Sequence, residues 1–200
     1  HGKKSLIDKM YGTYEEKFAA YKTFLTYFMT MPGKKLMFMG GEIGQFLEWR
    51  YDDQLEWNVL DLEPHKKLHD YIRTLNHLYV ESKALWELEQ SWDGFRWINE
   101  ADNENSVVSY IRRGKRPAEL LVIAANFTPC DRLGYKLGVP YEGEYEVILH
   151  SNSTEFGGSR KINKMVYHTQ KLQFSDMDYT LSVPIDGNSA MILKRKIVKK

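Results

Sequence analysis

Two stretches in the first half of the chain place apolar residues at the spacing of an amphipathic α-helix. In residues 12–33 apolar side chains recur three or four positions apart, Thr13 precedes them as an N-cap, and Pro32-Gly33 ends the run. In residues 64–82 the same spacing follows Pro64, a residue favoured in the first helical turn. The pattern therefore predicts two helices, each with one buried face. The predicted buried residues are Phe18, Tyr21, Leu25, Phe28 and Met29 in the first helix, and Leu68, Tyr71, Ile72, Leu75, Leu78 and Tyr79 in the second.

A short apolar run, residues 35–39, lies between these helices and stops at Gly40-Gly41. Such a run, bounded by glycine, predicts a strand that is buried on both faces. Helix, buried strand, long loop (residues 40–62) and second helix follow one another as in a parallel α/β sheet or barrel. Because one strand cannot close such a sheet, we expect residues 1–90 to be the last βα units of a larger structure whose beginning lies outside the chain.

From about residue 92 the pattern changes to short β-type runs separated by Gly, Asn, Pro and Asp. Their recurrence at regular intervals predicts an antiparallel sandwich or barrel. We therefore place a domain boundary at residues 88–94, with an incomplete α/β domain over 1–90 and an all-β domain over 91–200. The runs are GFRWIN, SVVSYIRRG, ELLVIAANF, EYEVILH, KLQFS, DYTLSVP and SAMILKRK.

Composition narrows the class of protein. The 200 residues, 42% of them hydrophobic, suffice for one large or two small domains. A net charge of +1, from 28 basic and 27 acidic residues, argues against a nucleic-acid-binding protein. A single cysteine, Cys130, excludes an internal disulfide and fits a reducing compartment. No apolar run has the length of a membrane span and no signal peptide is recognisable, so we expect a cytoplasmic protein without a membrane partner. We expect no cofactor.

Segments along the whole chain resemble the glycogen (1,4-α-glucan) branching enzymes of the α-amylase superfamily. They occur in order and with sensible spacing from His1 almost to the C-terminus. The resemblance implies that residues 1–90 form the C-terminal end of a (β/α)8 barrel, with residues 36–39 as its eighth strand. It also implies that residues 91–200 form an antiparallel β-sandwich domain at the C-terminus. The segments are HGKKSL, PGKKLMFMGGEIGQ, EWRYDDQLEW, GFRWI, SVVSYIRRG, VIAANFTP and GVPYEGEYEVILHS.

The resemblance also implies a reaction, in which a carboxylate attacks the anomeric carbon of an α-1,4-glucan while an acid protonates the leaving oxygen. The 6-hydroxyl of another glucose then takes the glycosyl group and forms an α-1,6 branch. In this family the Asp nucleophile, the acid/base Glu and the stabilising Asp all lie upstream of the segment that matches His1. We therefore assign no catalytic residue and expect the chain alone to be inactive. Its expected partners are an α-glucan such as glycogen or amylose and the missing N-terminal part of its own barrel.

Candidate substrate-binding residues lie in the loop after the apolar run, where barrel enzymes carry their sites. Trp49 and Trp57 offer flat apolar faces on which glucose rings could stack. Glu42, Arg50 and Asp53 could hydrogen-bond sugar hydroxyls. The tryptophans could equally fix the loop to the core. For Glu42 the favoured role is to bond the loop backbone or Arg50, and direct contact with sugar is the alternative.

Two other clusters have simpler explanations. His65, His69 and His77 share a helical face, which could suggest a metal site, but no carboxylate or thiol cluster accompanies them. We therefore expect a solvated face and no metal. The basic run RRGKR, residues 112–116, is expected to be a solvated hairpin turn.

A second class of function stays open at this point. Trp86, Trp92 and Trp97 surround the predicted boundary, where they could pack between domains or form an auxiliary glucan-binding surface. The β-domain could thus belong to a non-catalytic carbohydrate-binding or structural module. Part of a related amylase or debranching enzyme is a further alternative.

Overall fold

The computed structural model of the protein describes residues 2–100, 102–162 and 165–197. Two α-helices precede a series of β-strands, as the sequence pattern predicts. In chain order the elements are α1 (Tyr14–Thr30), α2 (Glu63–Glu81), β1 (Phe95–Asn99), β2 (Val107–Arg113), β3 (Leu120–Asn126), β4 (Arg132–Val139), β5 (Glu144–His150), β6 (Val166–His168), β7 (Tyr179–Ile185) and β8 (Ser189–Arg195).

The strands form a sandwich of two antiparallel sheets. The larger sheet has six strands in the order β1-β2-β3-β8-β5-β6, and the smaller one pairs β4 with β7. All pairings between these strands are antiparallel. The prediction of an antiparallel β-sandwich is therefore confirmed.

Alternate residues of the central strands point into two different cores. On β3, Val122 and Ala124 belong to the apolar cluster between the two sheets, whereas Leu121 and Ile123 belong to the cluster beneath the helices. All seven residues of this strand are buried. This double burial explains why the run is continuously apolar instead of alternating.

α1 packs on the outer face of the six-stranded sheet, and α2 packs against α1. Tyr21 and Leu25 of α1 and Leu68 of α2 join Tyr110 and Ile192 of the sheet in one buried cluster. Thr13 caps α1 in a capping box with Glu16, as the sequence predicts. The predicted apolar faces are confirmed, since their residues are buried or packed against this cluster.

A buried arginine connects the helical part to the sheet. Arg112 is 1% exposed, and its guanidinium donates to three carbonyls: Nη1 to Thr30 at 2.6 Å, Nη2 to Leu85 at 2.8 Å and Nε to Gly94 at 3.3 Å. Thr30 ends α1, where the helix dipole favours a cation. The prediction that the whole basic run 112–116 is solvated is therefore wrong for Arg112, although Arg116 in the same run is exposed.

The predicted buried strand at residues 35–39 is wrong for this chain. These residues form no strand, and Leu36 is 80% and Phe38 56% exposed. No strand of the two described sheets lies beside the run, so Leu36, Phe38 and Met39 are exposed while Met37 packs against the core beneath the helices. An apolar run can form a buried strand, but only where a neighbouring strand pairs with it.

Three further differences concern the β-domain. The structure contains β4 and β6, which the pattern did not indicate, and KLQFS forms no strand. In β4, RLGYKLGV, two glycines interrupt the alternation of apolar and polar residues that would indicate a strand. Gly134, one of them, has a φ of +66° where the register shifts. Residues 171–175 contribute only a single bridge, from Phe174 to Met177.

Candidate functional site

The loop after the apolar run begins with a tight turn that two glycines make possible. A 3₁₀ turn, Gly41–Ile43, is flanked by Gly40 at φ +80° and Gly44 at φ +64°, both in the left-handed region. A side chain at either position would be strained. The turn buries Ile43 completely against the neighbouring helices.

Three side chains from the helices hold consecutive carbonyls of this turn. Tyr21 Oη donates to the carbonyl of Gly41 at 3.2 Å. His69 Nδ1 donates to the carbonyl of Glu42 at 3.1 Å, and His65 Nδ1 donates to that of Ile43 at 2.7 Å. Both imidazoles must therefore carry a hydrogen on Nδ1.

The histidines are therefore structural rather than solvated. His65 is 2% exposed, so the expectation of a solvated histidine face is wrong there, while His77 is exposed. Among the described residues, no group of three or more His, Cys, Asp or Glu side chains is placed to hold a metal ion.

Neither described helix is long and apolar enough to cross a membrane.

Gln45 follows the turn and connects the two ends of the loop. Its amide is nearly buried, at 7% exposure. Nε2 donates to the carbonyl of Leu47 at 3.2 Å, and Oε1 accepts from the backbone N–H of Glu56 at 3.0 Å. Two segments that are distant in sequence, one leading to Trp49 and one leading to Trp57, thus meet at a single side chain.

A cleft of about 310 Å³ opens beside this turn. Its apolar wall includes Phe38, Leu47 and Trp49, and the Phe38 and Trp49 rings meet edge to face with centroids 5.5 Å apart. Lys4 and Lys9 contribute charged groups to the lining. An apolar wall with a few polar groups at its edge suits a ligand that has both apolar faces and hydroxyls, as sugar rings do.

The structure brings one of the five predicted site residues to this cleft. Trp49 lines it, half-buried. Trp57 lies outside its lining and is 52% exposed, so it does not fix the loop to the core. Glu42 is half-buried and also lies outside the lining. Arg50 and Asp53 are exposed and line no part of the cleft.

The polar residues of the loop bond locally. Arg50 donates to Asp52 through Nε and Nη2, at 3.1 and 3.0 Å, and this hydrogen bonding lowers the pKa of the Asp52 carboxyl. Two partners were expected for Glu42, the loop backbone and Arg50, and the second is wrong because Arg50 pairs with Asp52. Asp53 accepts from the N–H of Gln54. These local bonds leave Arg50 and Asp53 in solvent, where they remain accessible to a ligand.

Sequence reasoning missed Gln45, Phe38 and Leu47. Gln45 lies next to a left-handed glycine and follows no periodic pattern, so its two hydrogen bonds have no sequence signal. Phe38 and Leu47 are apolar residues that the pattern assigned to a buried strand and to a loop. Their exposure, 56% and 61%, places them at the cleft.

The three tryptophans near the predicted boundary differ in environment. Trp97 is half-buried and packs edge to face on Phe95 and Tyr110, at 4.8 and 5.7 Å between ring centroids. Trp86 is 40% and Trp92 87% exposed. Packing against neighbouring residues thus describes Trp97 but not Trp92.

Gly44→Ala is expected to lower the free energy of unfolding by about 2–3 kcal/mol, through a strained backbone and a steric clash. The φ is +64°, and an added Cβ would lie 2.5 Å from Cδ2 of Leu68. Gly33→Ala is the matched control because Gly33 also has a positive φ, +106°, but nothing within 4 Å of the added Cβ. Urea unfolding measures both, and equal losses would contradict the role of the Leu68 contact.

A known protein family matches the β-sandwich. The sequence profile described as "Alpha amylase, C-terminal all-beta domain" matches residues 97–196, which is half of the chain. The match begins within β1 and ends just after β8, so it covers both sheets of the sandwich. The helices and the loop that carries the cleft lie outside it.

Relatives match a larger part of the chain. The 1,4-alpha-glucan branching enzyme GlgB of Desulfitobacterium hafniense (strain Y51) is 43% identical over 197 residues, covering 98% of this chain and 31% of that protein. The enzyme of the same description from Halothermothrix orenii is 41% identical over 194 residues, 97% of this chain and 31% of that protein. The chain thus spans about a third of the relatives' length, in their C-terminal part.

Solved structures share the fold at low identity. A pullulanase from Anoxybacillus sp. LM18-11, complexed with maltotetraose, superposes with a TM-score of 0.63 at 15% identity, covering 96% of this chain and 26% of that one. An α-amylase from H. orenii gives a TM-score of 0.55 at 16% identity, covering 90% and 36%. The family match and these likenesses agree, and the chain belongs to the family of the alpha amylase C-terminal all-beta domain.

Proposed function

We propose that the chain is the C-terminal part of a 1,4-α-glucan (glycogen) branching enzyme. The observation that carries this proposal is that the similarity to branching enzymes covers 98% of the chain, including the helices and the loop with the cleft. A free-standing carbohydrate-binding module would need to resemble them only over the β-sandwich. The amylase and pullulanase alternatives are less favoured, because those likenesses are 15–16% identical and concern the fold alone.

The proposal includes a division of the chain. Residues 1–90 are the C-terminal end of a (β/α)8 barrel and residues 91–200 are its all-β C-terminal domain. The exposure of Leu36 and Phe38 supports this division, because an apolar segment of this kind would be covered by barrel strands from outside the chain. The shared core beneath the helices supports a fixed contact between the two parts.

The substrate in this proposal is an α-glucan such as glycogen or amylose, bound in part by the loop of residues 40–62. Trp49 would stack on a glucose ring within the cleft, and Trp57, Arg50 and Asp53 would meet further units from their exposed positions. Glu42, which lies outside the cleft, would contact sugar only beside the turn. Neither a nucleic acid nor a membrane takes part, and the site of action is the cytoplasm.

The reaction would take place on groups outside this chain. A carboxylate displaces the glycosidic oxygen at the anomeric carbon, an acid donates a proton to that oxygen, and a covalent glycosyl-enzyme forms. A glucose 6-hydroxyl then attacks the same carbon, gives up its proton to the base, and releases the enzyme carboxylate. The residues described here would bind and orient the glucan.

The purified 200-residue chain is expected to make no α-1,6 linkages from amylose, since the nucleophile and the acid must be held together in one site. A longer polypeptide that adds the upstream barrel is expected to make them. Counting α-1,6 linkages by NMR after incubation measures both, with heat-treated protein as the control. Branching by the chain alone would contradict the assignment of catalysis to upstream residues, and an inactive longer polypeptide would contradict the proposed function.

A further inference from the structure

We propose that Gln45 is a positioning residue that holds Trp49 and Trp57 in one arrangement toward the glucan. The inference rests on the proposed function for the identity of the ligand, a linear α-1,4-linked oligosaccharide. It adds a residue that borders the cleft and whose two side-chain hydrogen bonds fix the segments that carry the tryptophans.

Both the nitrogen and the oxygen of the Gln45 side-chain amide form hydrogen bonds. Its nitrogen donates to Leu47, two residues before Trp49, and its oxygen accepts from Glu56, the residue before Trp57. The backbone N–H of Gln45 also donates to the carbonyl of Gly40 at 3.0 Å, which anchors the residue to the turn. Gln45 therefore connects both tryptophan-bearing arms to the rigid turn beneath them.

Gln45 is held in this orientation by its surroundings. An added Cβ on Gly40 would come within 3.0–3.2 Å of three Gln45 side-chain atoms, so the amide packs directly against that glycine. At 7% exposure, little water reaches the two hydrogen bonds. Hydrogen bonds shielded from water in this way keep their geometry and make the loop more rigid.

The two arms depend on Gln45 to different degrees. The Trp49 arm has other long-range contacts: Ser5 Oγ donates to Phe46 O at 3.1 Å, and the Lys3 N–H donates to Glu48 at 3.0 Å. The Trp57 arm hydrogen-bonds to the turn through the bond from Glu56 to Gln45, and the 3₁₀ helix Trp57–Asp61 also packs against α2 and the turn. In hydrogen bonds, the Trp57 arm should therefore depend on the Gln45 oxygen more than the Trp49 arm depends on the Gln45 nitrogen.

Two substitutions of Gln45 separate these roles. Gln45→Met keeps the size of the side chain and removes both hydrogen bonds. Gln45→Glu keeps an oxygen for the Glu56 N–H and removes the donor to Leu47. Gln54→Met is the matched control, because Gln54 is an exposed glutamine of the same loop whose bond to Asp53 uses only its backbone N–H.

Two measurements on the chain test the proposal: hydrogen exchange at the Glu56 amide and the Kd for maltoheptaose from tryptophan fluorescence. In Gln45→Met we expect exchange at Glu56 to be faster by about tenfold and the Kd to rise by about fivefold, as a lost hydrogen bond and a mobile aromatic side chain predict. In Gln45→Glu, which keeps the acceptor but buries a charge, both changes should be smaller than in Gln45→Met, and Gln54→Met should change neither.

Trp49→Ala and Trp57→Ala distinguish failure of this inference from failure of the proposed function. If neither raises the Kd, the loop is not a glucan site and the proposed function is overturned there. If either raises it but Gln45→Met does not, the positioning role is overturned. Should Gln45→Met fail to unfold cooperatively, Glu56→Pro decides instead. Proline removes the Glu56 N–H that donates to Gln45, and the φ of −76° at this position is compatible with proline. An unchanged Kd in that variant would overturn the inference.

Discussion

Arg112→Met is expected to lower the free energy of unfolding by roughly 3–6 kcal/mol, because three buried carbonyls would lose their common donor. The carbonyls belong to the end of α1, to the segment after α2 and to the residue before β1. No water could replace the guanidinium without rearrangement, since the side chain is 1% exposed. Urea unfolding of the variant and the unmodified chain measures the difference.

Arg116→Met is the control for this substitution. Its guanidinium lies in the same basic run, is 71% exposed and forms an ion pair with Glu119. Exposed pairs of this type contribute up to about 1 kcal/mol. A similar small loss in both variants would contradict the role of Arg112 as the connection between the helical part and the sheet.

The stability of the chain is expected to fall by about 3 kcal/mol between pH 6.5 and pH 4 because of His150. His150 is fully buried, and burial lowers its pKa from 6.5 to about 4, with Arg160 and Lys22 acting in the same direction and Asp186 opposing them. As the pH falls below 6.5, His150 becomes protonated in the unfolded chain but stays neutral in the folded chain. Stability is therefore lost through this window.

His150→Asn isolates this effect. The asparagine oxygen can accept the N–H of Asn152 as Nδ1 of His150 does at 3.1 Å, but it does not titrate. Urea unfolding at pH 4.5, 5.5, 6.5 and 7.5 measures the free energy of unfolding across the range in which His150 titrates. This free energy should depend less on pH in the variant than in the unmodified chain. Burial alone would raise the pKa of the Asp186 carboxyl, but hydrogen bonds from Arg160 and Asn152 outweigh burial and lower the pKa below the usual aspartate range. The stability that this carboxyl contributes is therefore lost at lower pH than the contribution of His150. Equal slopes in both proteins would contradict the assignment.

The sequence predicted the elements that carry their own periodicity. The faces of α1 and α2 were correct because a helix that packs against a core on one side needs one apolar stripe, and the stripe is visible in the sequence. The central strands were correct because strands buried on both faces are apolar throughout. The strand β4 was missed because its glycines and its register shift obscure the alternation.

Properties that depend on contacts distant in sequence were not predictable in the same way. Arg112 stands in a run of basic residues that looks solvated, and only the fold places the carbonyls of Thr30, Leu85 and Gly94 around it. His65 looked like part of a polar helix face until the turn at Ile43 was packed against it. In both cases a polar side chain is buried because backbone groups elsewhere need a donor.

The candidate site was predictable as a region but not in its internal arrangement. Glycines and aromatics after an apolar run indicated the loop of residues 40–62, and Trp49 does line a cleft there. The roles of Glu42 and Arg50 could not be read from the sequence, because several neighbouring residues of similar chemistry could have paired with each side chain. Gln45 had no signal, since its partners lie at Leu47 and Glu56 and follow no period.

The position of β8 in the large sheet has a consequence for biosynthesis. This strand is the last in chain order, yet it lies between β3 and β5 and pairs with both. During translation the segments β1-β2-β3 and β5-β6 can form only as two separate halves, with unpaired inner edges on β3 and β5. The nascent chain therefore cannot complete its sheet gradually, and a ribosome that stalled before Ser189 would leave both edges open to other chains.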